Sequence, residues 1–430
     1  MWNKNGMTGS VFTRLSKVVL TLALTILAAG CATSEKHVKH EIVRLYSVHD
    51  PQFVKTMGVL LGPPVIGGNR FEALADGDEI FPAMLKAIRG AQTTVDFETY
   101  IYWSGDIGRQ FAEALTERAQ AGVTVNVMLD WLGSDKLDNK IVDDMKKAGI
   151  NVVKYHPLTW YKLHRLNNRT HRKLLIVDGR IGFTGGVGIA DVWAGHAQDP
   201  DHWRDSHYRA EGPVVGQMQA VFMDNWIKVT GKVLHGPEYF PVVPPVGDSY
   251  AQMFSSSPAG GSESMELMYL LAITAAAKTI YLSSAYFVPD DLTRDALIDA
   301  VKRGVKVQIV TPGKYIDNET VRRASRARWS DMLEAGVEIY EYQPTMYHCK
   351  MMVVDDLFVS VGSTNFDPRS FGLNDEANLN IYDRDFALKQ IKVFQDDLTL
   401  SHRFTVEQWR KRPFSEKLLE HAASLLGPQL

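Results

Sequence analysis

Two stretches of this 430-residue chain carry the same arrangement of chemically active side chains. The first is His171-Arg-Lys173-Leu-Leu-Ile-Val-Asp178, and the second is His348-Cys-Lys350-Met-Met-Val-Val-Asp355. Histidine can attack an electrophile or move a proton near neutral pH. Lysine supplies a positive charge suited to phosphate oxygens. On an extended strand, side chains two apart share a face, so each histidine points with its lysine. The apolar runs Leu174–Val177 and Met351–Val354 fit buried strands behind them, with Asp178 and Asp355 at the strand ends. Such a set describes phosphoryl transfer that asks for no metal and no organic cofactor. With 13 histidines in the chain, one such spacing carries little. Two copies at corresponding places carry much more.

The corresponding places are set by an internal repeat. Phe81, Met84, Leu85 and Ile88 recur at helical spacing before the strand-like Thr94–Tyr102, and a helix bearing Ile107, Phe111 and Leu115 follows. In the second half, a helical stretch near Glu263–Lys278 leads into strand-like Thr279–Phe287, then helical Asp291–Gly304 and the strand Val305–Val310. Each half adds a helix–strand unit, Asp138–Gly149 with Ile150–Tyr155 and Asn318–Gly336 with Val337–Tyr342. Two long βαβα units indicate duplication. The proline-rich Gly236–Gly247 reads as the joint. The expected division is a first half over 70–235, a linker over 236–250, a second half over 251–400, and a C-terminal helix and tail over 401–430.

At the start of the chain, Arg14 and Lys17 precede the apolar run Val18–Leu27, and Ala28-Ala29-Gly30 leads to Cys31. This describes a secretory signal over 1–30 that is too short for a comfortable membrane span. Cys31 after small residues resembles a bacterial lipobox, although Ala28 stands where a larger aliphatic residue is usual. Lipidation at Cys31 would place the protein on the bacterial cell envelope, membrane-anchored and facing the periplasm or exterior. The formal net charge of −3 does not favour nucleic acid as a partner.

The duplicated motif resembles the signature of the phospholipase D superfamily. Trp203-Arg-Asp-Ser-His-Tyr-Arg-Ala-Glu-Gly-Pro213 and Gly362-Ser-Thr-Asn-Phe-Asp-Pro-Arg-Ser-Phe-Gly-Leu-Asn-Asp-Glu-Ala-Asn378 resemble its cardiolipin synthase-like branch. The likeness covers about residues 70–400. It implies an α/β fold of two tandem α/β/α halves related by a pseudo-twofold axis, with one shared active site. It implies ping-pong chemistry through a phosphohistidine, with His171 as nucleophile and His348 as acid–base, or the reverse. Lys173 and Lys350 would hold phosphate oxygens with Asn365 assisting, while Asp178 and Asp355 would be more structural than chemical.

Asp205 and Glu376 could each fix the tautomer of a histidine, as orienting carboxylates do elsewhere. Ser363 and Gly185-Gly186 could bring donors close to the phosphate. Two departures stand out: Gly188 replaces an asparagine common in the family, and one apolar run stands where two hydrophobic helices are common. The implied substrates are phospholipids, phosphatidylglycerol first, met at a membrane surface. Two phosphatidylglycerols would give cardiolipin and glycerol. Hydrolytic phospholipase D, a nuclease of the superfamily and a non-catalytic lipid-binding lipoprotein are the alternatives. Among weaker features, Arg322, Arg323, Arg326 and Arg328 read as a solvated helix face or a headgroup contact. Trp103, Trp131 and Trp160 read as core or as the rim of a cleft. Cys349 should face away from the site.

Overall fold

The computed structural model describes residues 38, 40–157, 167–258 and 264–425. The expected signal segment, Cys31 and Trp160 lie outside these residues. A short helix, α1 (Pro51–Thr56), is capped by Asp50 and precedes the first strand.

The first half runs β1 (Ile66–Ala75), α2 (Asp76–Gly90), β2 (Thr94–Thr99), α3 (Asp106–Gln120), β3 (Thr124–Asp130), α4 (Asn139–Lys147), β4 (Asn151–Tyr155), β5 (Leu174–Val177), β6 (Ile181–Gly185), β7 (Ser206–Glu211) and α5 (Val214–Thr230). The second half runs β8 (Ser249–Ser256), α6 (Met265–Ala275), β9 (Thr279–Ser284), α7 (Asp291–Lys302), β10 (Lys306–Pro312), α8 (Glu319–Ala327), α9 (Trp329–Ala335), β11 (Glu338–Tyr342), β12 (Lys350–Val354), β13 (Phe358–Gly362), α10 (Pro368–Gly372), β14 (Glu376–Tyr382) and α11 (Arg384–Thr399). Then come β15 (Ser401–Phe404), α12 (Val406–Arg410) and α13 (Phe414–Ser424).

The strands form one order, β15-β11-β10-β9-β12-β13-β14-β8-β1-β7-β6-β5-β2-β3-β4. Read outward from the central β1–β8 pair, both halves follow the same path, β15 aside. That pair is antiparallel, with Ile66 opposite Ala251 and Asn69 opposite Ser249, so it relates the halves by a local twofold. Everything from Val38 belongs to one compact unit.

The apolar runs of the two motifs explain their depth. Leu175 and Val177 of β5 enter the outer core of the first half, while Leu174 and Ile176 enter a central core. Met352 and Val354 of β12 enter the outer core of the second half, while Met351 and Val353 join the same central core. A strand covered on both faces must be a continuous hydrophobic run rather than an alternating one. Burying each such aliphatic side chain contributes roughly 1.5–3 kcal/mol.

Several boundaries differ from the expectation. The first half begins with β1, whose Ile66-Gly-Gly-Asn start has no apolar alternation. The linker ends at β8, which starts at Ser249 and carries Ala251, Met253 and Phe254 into the cores. Within 401–430 a strand precedes the helices: Ser401–Phe404 pairs antiparallel with β11 as a sheet edge, where polar residues are tolerated. The expected helix over 318–336 is two helices, because the Arg328 N–H bonds back to Ser325 O at 2.9 Å and tightens the turn. Of its arginines, Arg322 and Arg326 turn inward onto the buried Glu341, while Arg323 on Glu319 and Arg328 on Asp291 form pairs at the solvated face.

Candidate active site

Both histidines sit at the same end of the molecule, just before β5 and close to the start of β12, and both are buried. The His171 backbone N–H donates to Asp375 O at 2.9 Å, and its ring Nδ1 lies 2.9 and 3.0 Å from the two oxygens of Glu376. The His348 backbone N–H donates to Arg204 O at 2.7 Å, and its ring Nδ1 lies 2.7 Å from Asp205 Oδ2. Each histidine therefore takes its carboxylate from the opposite half. With Nδ1 bound to a carboxylate, Nε2 is the nitrogen left for substrate.

The lysines repeat the symmetry. Lys173 Nζ donates to His171 O at 2.7 Å, and Lys350 Nζ donates to His348 O at 2.6 Å. Burial pushes Lys173 down to about 7 and also lowers Lys350. Burial likewise lowers His171 to about 4, against the pull of Glu376, and His348 well below its ordinary value, with Lys350 adding to the effect. The pocket is thus short of an anion, and a bound phosphate would restore charge to these four groups.

The two half-sites are not identical. Burial would raise the Glu376 carboxyl, but His171, Lys173 and Ser363 outweigh it, and it sits below its ordinary value. Ser363 Oγ donates to Glu376 Oε2 at 2.5 Å. Burial leaves the Asp205 carboxyl raised despite Lys350. Lys350 Nζ also lies 3.1 Å from His348 Nδ1, so its charge bears directly on that ring. The residue corresponding to Ser363 is Gly186, where a Cβ would fall 2.2 Å from Asp205 Oδ1, so only glycine admits this carboxylate.

Asn365 is buried beside Ser363, and its side-chain oxygen has no hydrogen-bond partner among the described residues. Its counterpart Gly188 has no room for a side chain, since a Cβ there would fall 2.8 Å from Ile101 Cβ and 3.0 Å from the Trp193 ring. Trp193 instead donates Nε1 to Asp205 Oδ2 at 3.0 Å and packs edge-on against His348, with ring centroids 5.4 Å apart. Tyr100 does the same for His171 at 5.3 Å. Sequence reasoning missed both rings; neither follows a spacing rule, because each reaches its histidine across the sheet or from a loop. Cys349 is buried on the other side of its strand against Ser206 Oγ, and burial raises its thiol.

Asp178 and Asp355 are not brought to the histidines. They lie past the far ends of β5 and β12, about 20 Å along the chain direction at ~3.3 Å per residue. The Asp178 carboxylate accepts the backbone N–H groups of Gln92, Thr93 and Thr94. Asp355 accepts those of Ala277, Lys278 and Thr279. Each aspartate clamps the turn between a helix and the neighbouring strand, α2 to β2 and α6 to β9.

Two similar halves that meet at paired histidine–lysine sets define a phospholipase D-type enzyme. Residues 84–192 and 269–398 match the family described as "Cardiolipin synthase, PLD-like domain". The chain is 34% identical to Cardiolipin synthase 2 of Bacillus anthracis, covering 83% of this chain and 70% of that protein. It is also 34% identical to Cardiolipin synthase of Geobacillus kaustophilus, covering 85% and 74%. The fold is shared with phosphatidylserine synthase of Haemophilus influenzae, at a TM-score of 0.66 and 14% identity over 88% of this chain and 100% of that one. The chain belongs to the cardiolipin synthase, PLD-like family, and so to the phosphatidyl-transferring enzymes whose substrates are phospholipids. Membership also implies membrane association in bacteria; among the described residues no helix is long and apolar enough to cross a membrane.

Proposed function

We propose that the protein joins two phosphatidylglycerol molecules into cardiolipin, releasing glycerol, at the surface of the membrane and on its outer side. The observation that carries the mechanism is the crossed pairing of His171 with Glu376 and His348 with Asp205 in one buried pocket.

His171 is the nucleophile. Its ring is backed by both oxygens of a carboxylate held ionised, so charge developing on the imidazole is compensated as Nε2 bonds to phosphorus. His348 Nδ1 lies on Asp205, and burial together with the nearby Lys350 ammonium disfavours a positive charge on the ring, which makes it a ready proton donor. It protonates the departing glycerol oxygen as the phosphohistidine forms. It then takes the proton from the hydroxyl of the incoming phosphatidylglycerol, whose oxygen displaces His171 from phosphorus. Lys173 and Lys350 face the phosphoryl oxygens, and Asn365 offers its amide beside them. Cys31 is the proposed lipid anchor.

The test is a product assay with the purified full chain on phosphatidylglycerol vesicles, with and without chelator, beside His171→Ala. Cardiolipin and glycerol in equal amounts, unaffected by chelator and absent in the variant, are expected. Phosphatidic acid alone would reassign the protein as a hydrolase, and no lipid turnover would redirect the search to other phosphodiesters.

A further inference from the structure

The family match ends at residue 398, and the last described helix lies beyond it. In α13, Ala423 is buried against Val321 and Ala324 of α8 and against Val288, while Glu420 is buried on Arg412 at 2.8 Å. At 100° per residue, Phe414, Leu418 and Leu425 fall on one ridge pointing away from this contact. They are 81%, 58% and 73% exposed. Lys417 borders the ridge; Arg410 and Lys411, exposed and paired with Glu334 and Glu407, precede it; Glu416 falls on the other side, and the half-exposed Leu419 lies on the flank.

An exposed apolar ridge on a helix, edged by Lys417 and preceded by the exposed Arg410 and Lys411 in a chain of net negative charge, is matched by an anionic lipid interface: acyl boundary for the ridge, headgroups for its border. Position supports the same occupant. Val288 follows Phe287, which bridges Phe366, the neighbour of Asn365. Tyr286 packs on the same small cluster as Ala423 and donates its hydroxyl to Asp317, whose charge acts on Lys350. Ala423 in the last turn of α13 is therefore linked by packing, through Val288 and Phe287, to Phe366 beside Asn365.

We propose that α13 is a lipid-docking helix that seats the pocket mouth on an anionic bilayer, with Phe414, Leu418 and Leu425 inserted. The proposal deepens the phospholipid reading above and rests on it for the choice of lipid.

Two measurements test it. In the full chain with Cys31→Ser and Leu418→Cys, the introduced thiol accompanies only the buried Cys349, so it can carry a polarity-sensitive fluorophore. Equal-part phosphatidylglycerol–phosphatidylcholine vesicles should shift its emission to the blue, pure phosphatidylcholine much less, and high salt should weaken the shift. No shift, or the same shift on both vesicles, overturns the proposal. So does a shift without vesicles that grows with protein concentration, which would mean self-association. Second, the triple variant Phe414→Ser, Leu418→Ser, Leu425→Ser should lose about ten-fold or more of its turnover on vesicles while keeping turnover of monomeric short-chain phosphatidylglycerol. Equal loss on both substrates, or no loss on either, overturns it. If the unaltered protein turns over neither lipid, the proposed reaction fails while the fluorescence still decides docking.

Discussion

The backbone N–H of His171 donates to the carbonyl of Asp375, the residue directly before the glutamate that holds the histidine ring. The same construction recurs at His348, which donates to Arg204 directly before Asp205. Backbone bridges between Thr170 and Asp375, and between Arg204 and Tyr347, carry both contacts. Ring and carboxylate are therefore placed by main chain from opposite halves, and neither half alone holds a complete dyad.

Glu376→Gln tests what the carboxylate charge contributes. Glutamine keeps the volume but can turn its amide N–H toward Nδ1, favouring the tautomer with the proton on Nε2. We expect kcat to fall by about 10²–10⁴, with KM nearly unchanged. Asp205→Asn should cost less in phosphohistidine formation than in its breakdown. Rapid-quench measurement of both steps checks this, and equal slowing of both steps by both variants would contradict the division of roles.

The asymmetry between the dyads also predicts which histidine carries phosphorus. With a phosphatidyl ester whose leaving group needs no protonation, such as p-nitrophenol, His348→Ala should trap the intermediate on His171, because the incoming alcohol lacks its base. His171→Ala should yield no adduct at either position. Mass spectrometry of peptides quenched in alkali decides it, and an adduct on His348 would reverse the assignment.

Much of this was legible in the residues. The two motifs, their equivalence and the strand–helix order follow from spacing and from apolar runs deep enough to be covered on both faces. The crossing was not legible: Asp205 and Glu376 read as candidate orienters, but which ring each serves depends on how the halves face one another. Trp193, which reaches His348 from the other half, was invisible for the same reason, and Tyr100 because it reaches His171 from the end of the neighbouring strand of its own half at no fixed spacing. The motif aspartates mislead in a different way. Asp178 keeps its spacing because a fixed number of strand residues separates the pocket from the turn it clamps.

Asp178→Asn should therefore act on stability. Opposing the burial that would raise it, the N–H groups of Thr94, Thr93 and Gln92 hold its carboxyl below the ordinary range. A depressed folded-state pKa stabilises above the unfolded value near 3.9 and loses that contribution as pH falls through the folded value. We expect the variant to lose about 1–3 kcal/mol at neutral pH and the gap to close in acid. Activity per folded molecule should stay within about twofold, since the side chain does not reach the pocket. Urea unfolding at several pH values, with activity normalised to folded protein, measures both.

The buried lysine makes phosphate binding pH-dependent. Lys173 sits at about 7 in the free protein, and a bound anion returns it to its charged form. Above pH 7 binding must then take up a proton, so affinity for inorganic phosphate should fall up to ~10-fold per pH unit. Below pH 7 this dependence should flatten. Calorimetry in two buffers of different ionisation enthalpy counts the proton, and Lys173→Met should reduce the uptake above pH 7. Undiminished uptake in the variant would assign it to another group.

Arg204 connects His348 to the far helix. Its guanidinium is buried, with Nε and Nη2 donating to the two oxygens of Asp397 on α11 at 2.9 and 3.1 Å, and Tyr347 Oη donates to Asp397 Oδ2 at 3.0 Å. Tyr347 and Arg204 are the two residues of the bridge that hangs His348 beside Asp205. Asp397→Asn should leave the cation underpaired and cost about 3–5 kcal/mol if nothing relaxes. Arg204→Lys should not substitute, since an ammonium cannot make the two-pronged contact. If Asp397 acts by positioning, kcat per active site falls about ten-fold while KM holds, because a ring displaced by a fraction of an ångström transfers protons poorly. If its role is stability alone, the burst of phosphohistidine shrinks with the folded fraction while turnover per burst site is unchanged. Burst amplitude and steady-state rate on the same preparation separate the two.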